Sequence, residues 1–271
     1  MEGRRSAMKG TIMKIGAFDL GQTLDCGQCF RWERREDGAY QGIASGRFLT
    51  IDVSGIEKVC EDPFWAQYFD AAVDYDKIRE ELSQKDEILA QAAAFAPGIR
   101  ILNQDPWEAL CSFIISQNNN IPRIKGIVSR LCALLGDPCG GGWAFPGPER
   151  MARCTPEDLA PLRAGFRAKY LVDAAQKVAA GRVDLEEIRT QELGKARESL
   201  TRILGVGNKV ADCTLLYGLH RLDAFPMDVW MKRAMKILFP GREPAWFGEY
   251  AGIAQQYIFH YSRCHAAIFE K

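Results

Sequence analysis

Leu204-Gly205-Val206-Gly207-Asn208-Lys209-Val210-Ala211-Asp212 lies between two stretches of helical periodicity and is the most informative segment of the chain. Two glycines flanking one small apolar residue permit a tight turn with positive φ and leave consecutive backbone amides at the start of the next helix. Such amides attract an anion, a phosphate for example. A plain helix-to-helix connection would use the same residues, so Gly205, Val206 and Gly207 alone leave both readings open. Lys209 opens the second helix, where a cation opposes the helix dipole and partial desolvation favours the neutral amine. A neutral amine is a nucleophile that forms Schiff bases with carbonyl-like carbons, among them deoxyribose C1′ once its base departs. The bland alternative is a solvated surface lysine. Nineteen residues on, Pro226-Met227-Asp228 begins another helix, which makes Asp228 an N-cap whose carboxylate can also face a nearby site.

Outward from this hairpin the chain reads as helices. Asp105-Pro106 opens one running to about Ser116, and Pro122 suits the first turn of another ending at Leu135. Cys139 to Gly142 reads as a loop, and further helices are expected over about 156–161, 168–180, 190–203, 209–219, 228–238 and 244–262. Before Val59 the pattern differs, with loose alternation in Thr11–Ile15 and clearer alternation in Arg47–Val53. After Asp62-Pro63 the period turns helical, with Phe64, Tyr68, Ile78, Leu82, Ile88, Leu89 and Ala92 spaced to line helix faces. The predicted class is α+β: a small antiparallel β-sheet lobe over 1–100, then an all-helical body over 101–271. The body would hold a helix-hairpin-helix at about 197–219 and a loop over about 220–228 that ends in Asp228.

Composition narrows the function. The 271 residues carry 35 basic and 35 acidic side chains, which excludes a polybasic coat for nucleic acid or membrane. Any DNA contact must be local, and residues 101–271 are the mildly basic part, with 22 basic against 18 acidic side chains. Nine scattered cysteines suit reduced thiols rather than a disulfide framework. No apolar run approaches the roughly 20 residues that span a bilayer, and a soluble cytoplasmic protein is expected. Cys26 and Cys29 have the spacing of half a zinc site, but no second pair or histidine cluster accompanies them.

Beyond the hairpin, six blocks carry a resemblance: Phe18-Asp19-Leu20 with Cys26 to Trp32, Gln104 to Glu108, Ser116 to Ile124, Gly165 to Tyr170, the hairpin with Pro226-Met227-Asp228, and Ala251 to Gln255. In order, and over nearly the whole chain, they resemble the 8-oxoguanine DNA glycosylase/AP lyase family of the helix-hairpin-helix superfamily, with features of a bacterial-type member. The resemblance implies a TATA-binding-protein-like sheet lobe and a monomeric, bifunctional enzyme. Such an enzyme flips 8-oxoguanine out of double-stranded DNA, excises it and nicks the strand by β-elimination. It implies Lys209 as the nucleophile at C1′ and Asp228 as the acid that stabilises sugar charge and assists the lysine. Gly27 would accept the N7 hydrogen of 8-oxoguanine through its carbonyl, Gln255 would read the Watson-Crick edge, and Cys213 and Phe259 would sandwich the base.

The same resemblance assigns Asn118, Arg123, Phe166 and Arg167 to the gap left by the flipped base and to the orphaned cytosine, and Gly205 to Gly207 with Lys209 to DNA phosphate. It implies no redox or nucleotide cofactor. An iron-sulfur cluster would need four cysteines, whereas only Cys264 follows Asp228. The carbonyls of Thr201, Ile203 and Val206 are candidates for a hairpin cation. Three departures stand out: Phe166 where the family usually has Tyr, Leu204 where Pro is frequent, and Trp230 where His is common. Two rival functions are a monofunctional glycosylase of the same superfamily for other damaged purines and a non-catalytic DNA-damage binder. A bacterial protein of this kind works in the cytoplasm beside the nucleoid, a eukaryotic one in the nucleus.

Overall fold

The computed structural model describes residues 15–269, so the strand expected over Thr11–Ile15 lies outside the described residues except for Ile15. Three short antiparallel strands, β1 (Trp32–Arg34), β2 (Tyr40–Ala44) and β3 (Arg47–Ile51), form the sheet in that order. The strand expected to reach Val53 stops at Ile51, because the Asp52 carboxylate accepts the amides of Ser54 and Gly55 and turns the chain. Trp32 pairs with Gly42, and a Cβ on that glycine would lie 2.4 Å from the indole, so the close approach requires glycine. The region before Val59 is not all strand: α1 (Leu20–Leu24) precedes the sheet, with Asp19 accepting the Gln22 amide as its N-cap. The short helices α2 (Ile56–Val59) and α3 (Pro63–Tyr68) follow the sheet, and Trp65, Tyr68 and Phe69 pack around Trp32 to make an aromatic core.

The helical body contains α4 (Tyr75–Ser83), α5 (Glu87–Phe95), α6 (Pro106–Ser116), α7 (Ile121–Leu135), α8 (Pro148–Met151), α9 (Arg167–Ala179), α10 (Leu185–Thr190), α11 (Leu193–Thr201), α12 (Asn208–Tyr217), α13 (Val229–Leu238) and α14 (Ala251–Cys264). Its centre is α6, in which every residue from Ala109 to Ile115 is buried against α7, α9 and α12. A helix apolar on all sides has to be interior. Each large apolar side chain it buries contributes about 2 kcal/mol. Two buried clusters result. The smaller takes Ile15 to Ala71 with Leu102, and the larger takes Phe30 and the chain from Tyr75 onward, including α4 and α5. Among the described residues no helix is long and apolar enough to cross a membrane.

Four expected boundaries need correction. The helix over 156–161 is only a single 3₁₀ turn, Ala160–Leu162, since Asp158 holds the Thr155 amide in a local turn and Pro161 disfavours helix before it. The helix over 190–203 begins at Leu193, after a separate α10, because the Glu192 carboxylate accepts the Gly194 and Lys195 amides and starts it afresh. The helix over 244–262 is broken at Gly248, whose φ of 81° kinks the 3₁₀ stretch Pro244–Tyr250 that precedes α14. Cys139 to Gly142 is not a bare loop: Pro138–Cys139 pairs with Gly142–Trp143, turning on Gly140 and Gly141, both at positive φ.

Candidate active site

The hairpin joins α11 to α12 through a β-turn in which the Ile203 carbonyl accepts the Val206 amide at 3.0 Å. Gly205 has φ 75° and Leu204 is not in the positive region, the combination of a type II turn. Gly205 is doubly required, because a Cβ there would also lie 2.3 Å from the Tyr170 ring. Gly207 is different: its φ is −99° and nothing lies within 4 Å of where a Cβ would be. It caps α12 without a side-chain acceptor, so the first amides of that helix are left for an outside partner.

Lys209 is the second residue of α12. Its Nζ donates to Ser116 Oγ at 3.1 Å and sits 5.2 Å from the centre of the Phe113 ring. Asp228 caps α13 by accepting the Met231 amide at 2.6 Å, as its spacing predicts. Both line a cleft of about 680 Å³ between the sheet lobe and the helical body, together with Gly27, Phe113, Ser116, Trp230 and Phe259. Lysine and aspartate thus reach one space from separate helix starts, and among the described residues no ion pair joins them. One turn along α12, Cys213 is buried, and that burial pushes its thiol up to about 11.

The opposite wall comes from the sheet lobe. Gly27 has φ 92°, a conformation that turns the chain at the cleft rim. The adjoining Gln28 is fully buried: its Nε2 donates to the carbonyls of Thr23 and Arg100, each at 2.8 Å, and its Oε1 accepts the Leu102 amide at 2.9 Å. Gln104 Nε2 donates to the Gln28 carbonyl at 2.8 Å. The Gly27 peptide is therefore anchored to the lobe-body seam by amide side chains. Cys26 and Cys29 donate to the carbonyls of Thr23 and Leu24, and burial pushes Cys26 up to about 12. Among the described residues no group of three or more His, Cys, Asp or Glu is placed to hold a metal ion. Of the hairpin carbonyls, that of Ile203 is already in use by Val206.

The structure brings Gly27, Lys209, Asp228 and Phe259 onto one cleft, while Gln255 and Cys213 are buried and are not among its lining residues. Gln255 donates to the Pro226 carbonyl at 3.3 Å, and its Oε1 receives the Tyr217 hydroxyl at 3.5 Å. Arg123 is exposed at the first turn of α7, and the neighbouring Asn118 sits at φ 49°. Phe166 is half exposed, edge-on to Tyr170. Arg167 is buried, donating to the carbonyls of Gln117, Asn118 and Ala164, and so it holds the Gln117-Asn118 turn in shape. Burial first, and the charge of Arg123 second, lower its affinity for a proton. Sequence reasoning missed Ser116 as the partner of Lys209, although a hydroxyl closing a largely apolar helix is its signal. It also missed Gln28, whose importance depends on contacts more than seventy residues away.

Residues 11–110 match the family described as 8-oxoguanine DNA glycosylase, N-terminal domain, and residues 111–245 match the HhH-GPD superfamily base excision DNA repair protein. The chain is 32% identical to the N-glycosylase/DNA lyase OGG1 of Arabidopsis thaliana, over 89% of this chain and 76% of that protein. Among solved structures, MBOgg1 in complex with a low-affinity DNA ligand superposes with TM-score 0.83 at 40% identity, covering 93% of this chain and 95% of that one. The Clostridium acetobutylicum 8-oxoguanine glycosylase/lyase, bound to double-stranded DNA with cytosine opposite 8-oxoguanine, superposes with TM-score 0.81 at 37% identity, covering 92% and 93%.

Proposed function

The chain belongs to the 8-oxoguanine DNA glycosylase family, and from that premise we propose that it excises 8-oxoguanine from double-stranded DNA and then cleaves the strand as an AP lyase. The observation that carries this reading is the sharing of one cleft by the Lys209 amine and the Asp228 carboxylate, opposite the Gly27 turn. In the proposed reaction the amine lone pair of Lys209 forms a bond to C1′ while the N-glycosidic bond breaks, and the base leaves with the electron pair of the broken bond and takes up a proton. Asp228 stabilises the positive charge developing on the sugar, a large effect in a site closed to water. Loss of the amine proton and opening of the ring give the Schiff base. Removal of a C2′ proton then expels the 3′ phosphate, and hydrolysis frees the lysine.

Recognition follows from the same walls. The Gly27 carbonyl accepts the N7 hydrogen that the oxidised base has and guanine lacks, Phe259 and Cys213 stack on the base, and Gln255 reads its edge. Arg123, Asn118 and Phe166 fill the gap and meet the orphaned cytosine, whose O2 and N3 accept from arginine donors. Arg167 supports them by fixing the Gln117-Asn118 carbonyls, and would have to release one to touch the base itself. The open amides at Gly207 to Lys209 bind a phosphate. The enzyme works as a monomer wherever chromosomal DNA lies, in the cytoplasm or a nucleus. A cation at the carbonyls of Thr201, Ile203 and Val206 is compatible with the second lone pair of Ile203, and no step depends on it.

The test uses a duplex with one 8-oxoguanine opposite cytosine, incubated with borohydride, beside duplexes carrying guanine and an abasic site. Expected is a covalent adduct on the lesion and abasic duplexes that disappears in Lys209→Gln, which still binds the lesion. Trapping on the abasic duplex alone would move the base specificity elsewhere. Lesion excision without an adduct would favour the monofunctional reading, and binding without excision or adduct a damage-binding module.

A further inference from the structure

Helix α9 grips the hairpin with one face. Tyr170, Asp173 and Lys177 recur at the three- and four-residue spacing of a helical stripe. The Tyr170 ring occupies the place of a Cβ on Gly205. Asp173 Oδ2 accepts the Leu204 backbone amide at 2.6 Å. Lys177 Nζ bridges the two, donating to Asp173 Oδ2 at 2.8 Å and to the Arg202 carbonyl at 2.7 Å. Leu204 stands at the second position of the type II turn, where proline would preset φ and stiffen the turn unaided. With leucine there the turn lacks that restraint, yet it carries an amide that proline would not have. The Asp173 carboxylate holds that amide.

We propose that Asp173 and Lys177 are positioning residues for the hairpin. Their clamp on Leu204 and Arg202 takes over the stiffening a proline would supply, and it holds the first turn of α12 in the register that presents Lys209 to the cleft. The proposal rests on reading Lys209 as the nucleophile. A bond from an amide to a carboxylate is charge-assisted and stronger than one between neutral groups. The side chains of Lys177 and Asp173 are 22% and 26% exposed, so water competes for the clamp only in part. Without it the Leu204 amide can turn to solvent, and the fold survives while the turn fluctuates. Lys209 then spends less time in place, and the phosphate-binding amides of the same turn are held less steadily, so chemistry slows more than the grip on DNA weakens.

Four proteins test this: wild type, Asp173→Ala, Leu204→Pro and the double variant, each measured for single-turnover excision of 8-oxoguanine opposite cytosine and for duplex Kd. Asp173→Ala is expected to lower the excision rate constant about tenfold, the worth of one hydrogen bond to a charged group. Its Kd should rise by clearly less than the rate falls, because the loosened turn carries one phosphate contact among many while the reaction step needs Lys209 in place. Leu204→Pro alone should remain near wild type, and the double variant should recover most of the lost rate. A wild-type rate in Asp173→Ala, or a double variant as slow as the single one, would overturn the proposal. Amide hydrogen exchange over residues 202–208 of the DNA-free proteins reads the clamp apart from chemistry: Asp173→Ala should speed it and the added proline slow it again. Unchanged exchange would also overturn the proposal. If wild type excises nothing, the activity reading has failed, and exchange still decides whether the clamp exists.

Discussion

Replacing Glu108 with glutamine should remove a pH dependence of stability that runs opposite to the usual one for an acid. Glu108 lies in the first turn of α6, where its carboxylate meets Arg31 at 3.2 Å, and both side chains are nearly buried. Burial raises the carboxyl from 4.5 to about 7, against the opposing pull of Arg31. The guanidinium of Arg31, in contrast, is raised despite its own burial, with Glu108 the main cause. The two partners therefore value the pair differently. At the carboxylate desolvation wins, since it receives one side-chain donor in place of its water, while Arg31 also has the Trp143 carbonyl. A folded pKa above the unfolded one means that the native state binds the proton more tightly, so this stabilisation is full below 4.5 and is lost as pH rises through about 7. At about 1.4 kcal/mol per pKa unit the loss is ~3 kcal/mol. Urea unfolding of wild type and Glu108→Gln from pH 4.5 to 8 isolates it, because other titrating groups, such as Asp212, cancel in the difference. Wild type should lose ground to the variant as pH rises. A flat difference, or a wild type that gains ground, would mean that attraction to Arg31 outweighs desolvation and would refute the reasoning.

Gly205→Ala combines a left-handed backbone with a clash against Tyr170 and should cost about 2–4 kcal/mol in thermal unfolding. The cost should fall to about 1 kcal/mol in a Tyr170→Ala background, where only the backbone term remains. Asp228→Asn should keep the α13 cap, and hence the melting temperature, while abolishing excision; Asp228→Ala should lose both, with about 1 kcal/mol of stability. Equal melting temperatures for the two would refute the capping half. Arg123→Ala should flatten the preference for cytosine opposite the lesion with little change in stability. Arg167→Ala, by freeing three carbonyls from a buried guanidinium, should lower the melting temperature as well, and an unchanged melting temperature would contradict its scaffold role.

Much of this molecule is legible because its decisive signals are local. Asp105-Pro106 and Asn120-Ile121-Pro122 place the starts of α6 and α7 by capping and by proline geometry, and the Gly205 turn announces itself within four residues. Asp228 is readable as a cap for the same reason. What escaped depends on contacts that no periodicity encodes. Arg167 carries the charge of a solvent-facing or DNA-facing residue, yet its guanidinium donates to the carbonyls of Gln117 and Asn118, some fifty positions away, which sequence spacing does not reveal. Ser116 and Lys209 meet across ninety-three residues. The break at Gly248 leaves no sequence signal, because a single glycine inside a helical pattern is usually tolerated, whereas here its positive φ kinks the chain.

Gln28 bears on the sharpness of lesion recognition. A single hydrogen separates 8-oxoguanine from guanine at N7, and under the proposed reading the Gly27 carbonyl meets either that hydrogen or a lone pair. A repulsion can be relieved by retreat, so a wall that yields by half an ångström would treat the two bases almost alike. With its amide saturated by Thr23, Arg100 and Leu102, and its carbonyl tied to Gln104, Gln28 leaves the neighbouring peptide little room to withdraw. Fidelity in such a pocket is a matter of stiffness: the selectivity between the two bases is bounded by the elastic cost of moving Gly27, and residues that never approach DNA set that bound.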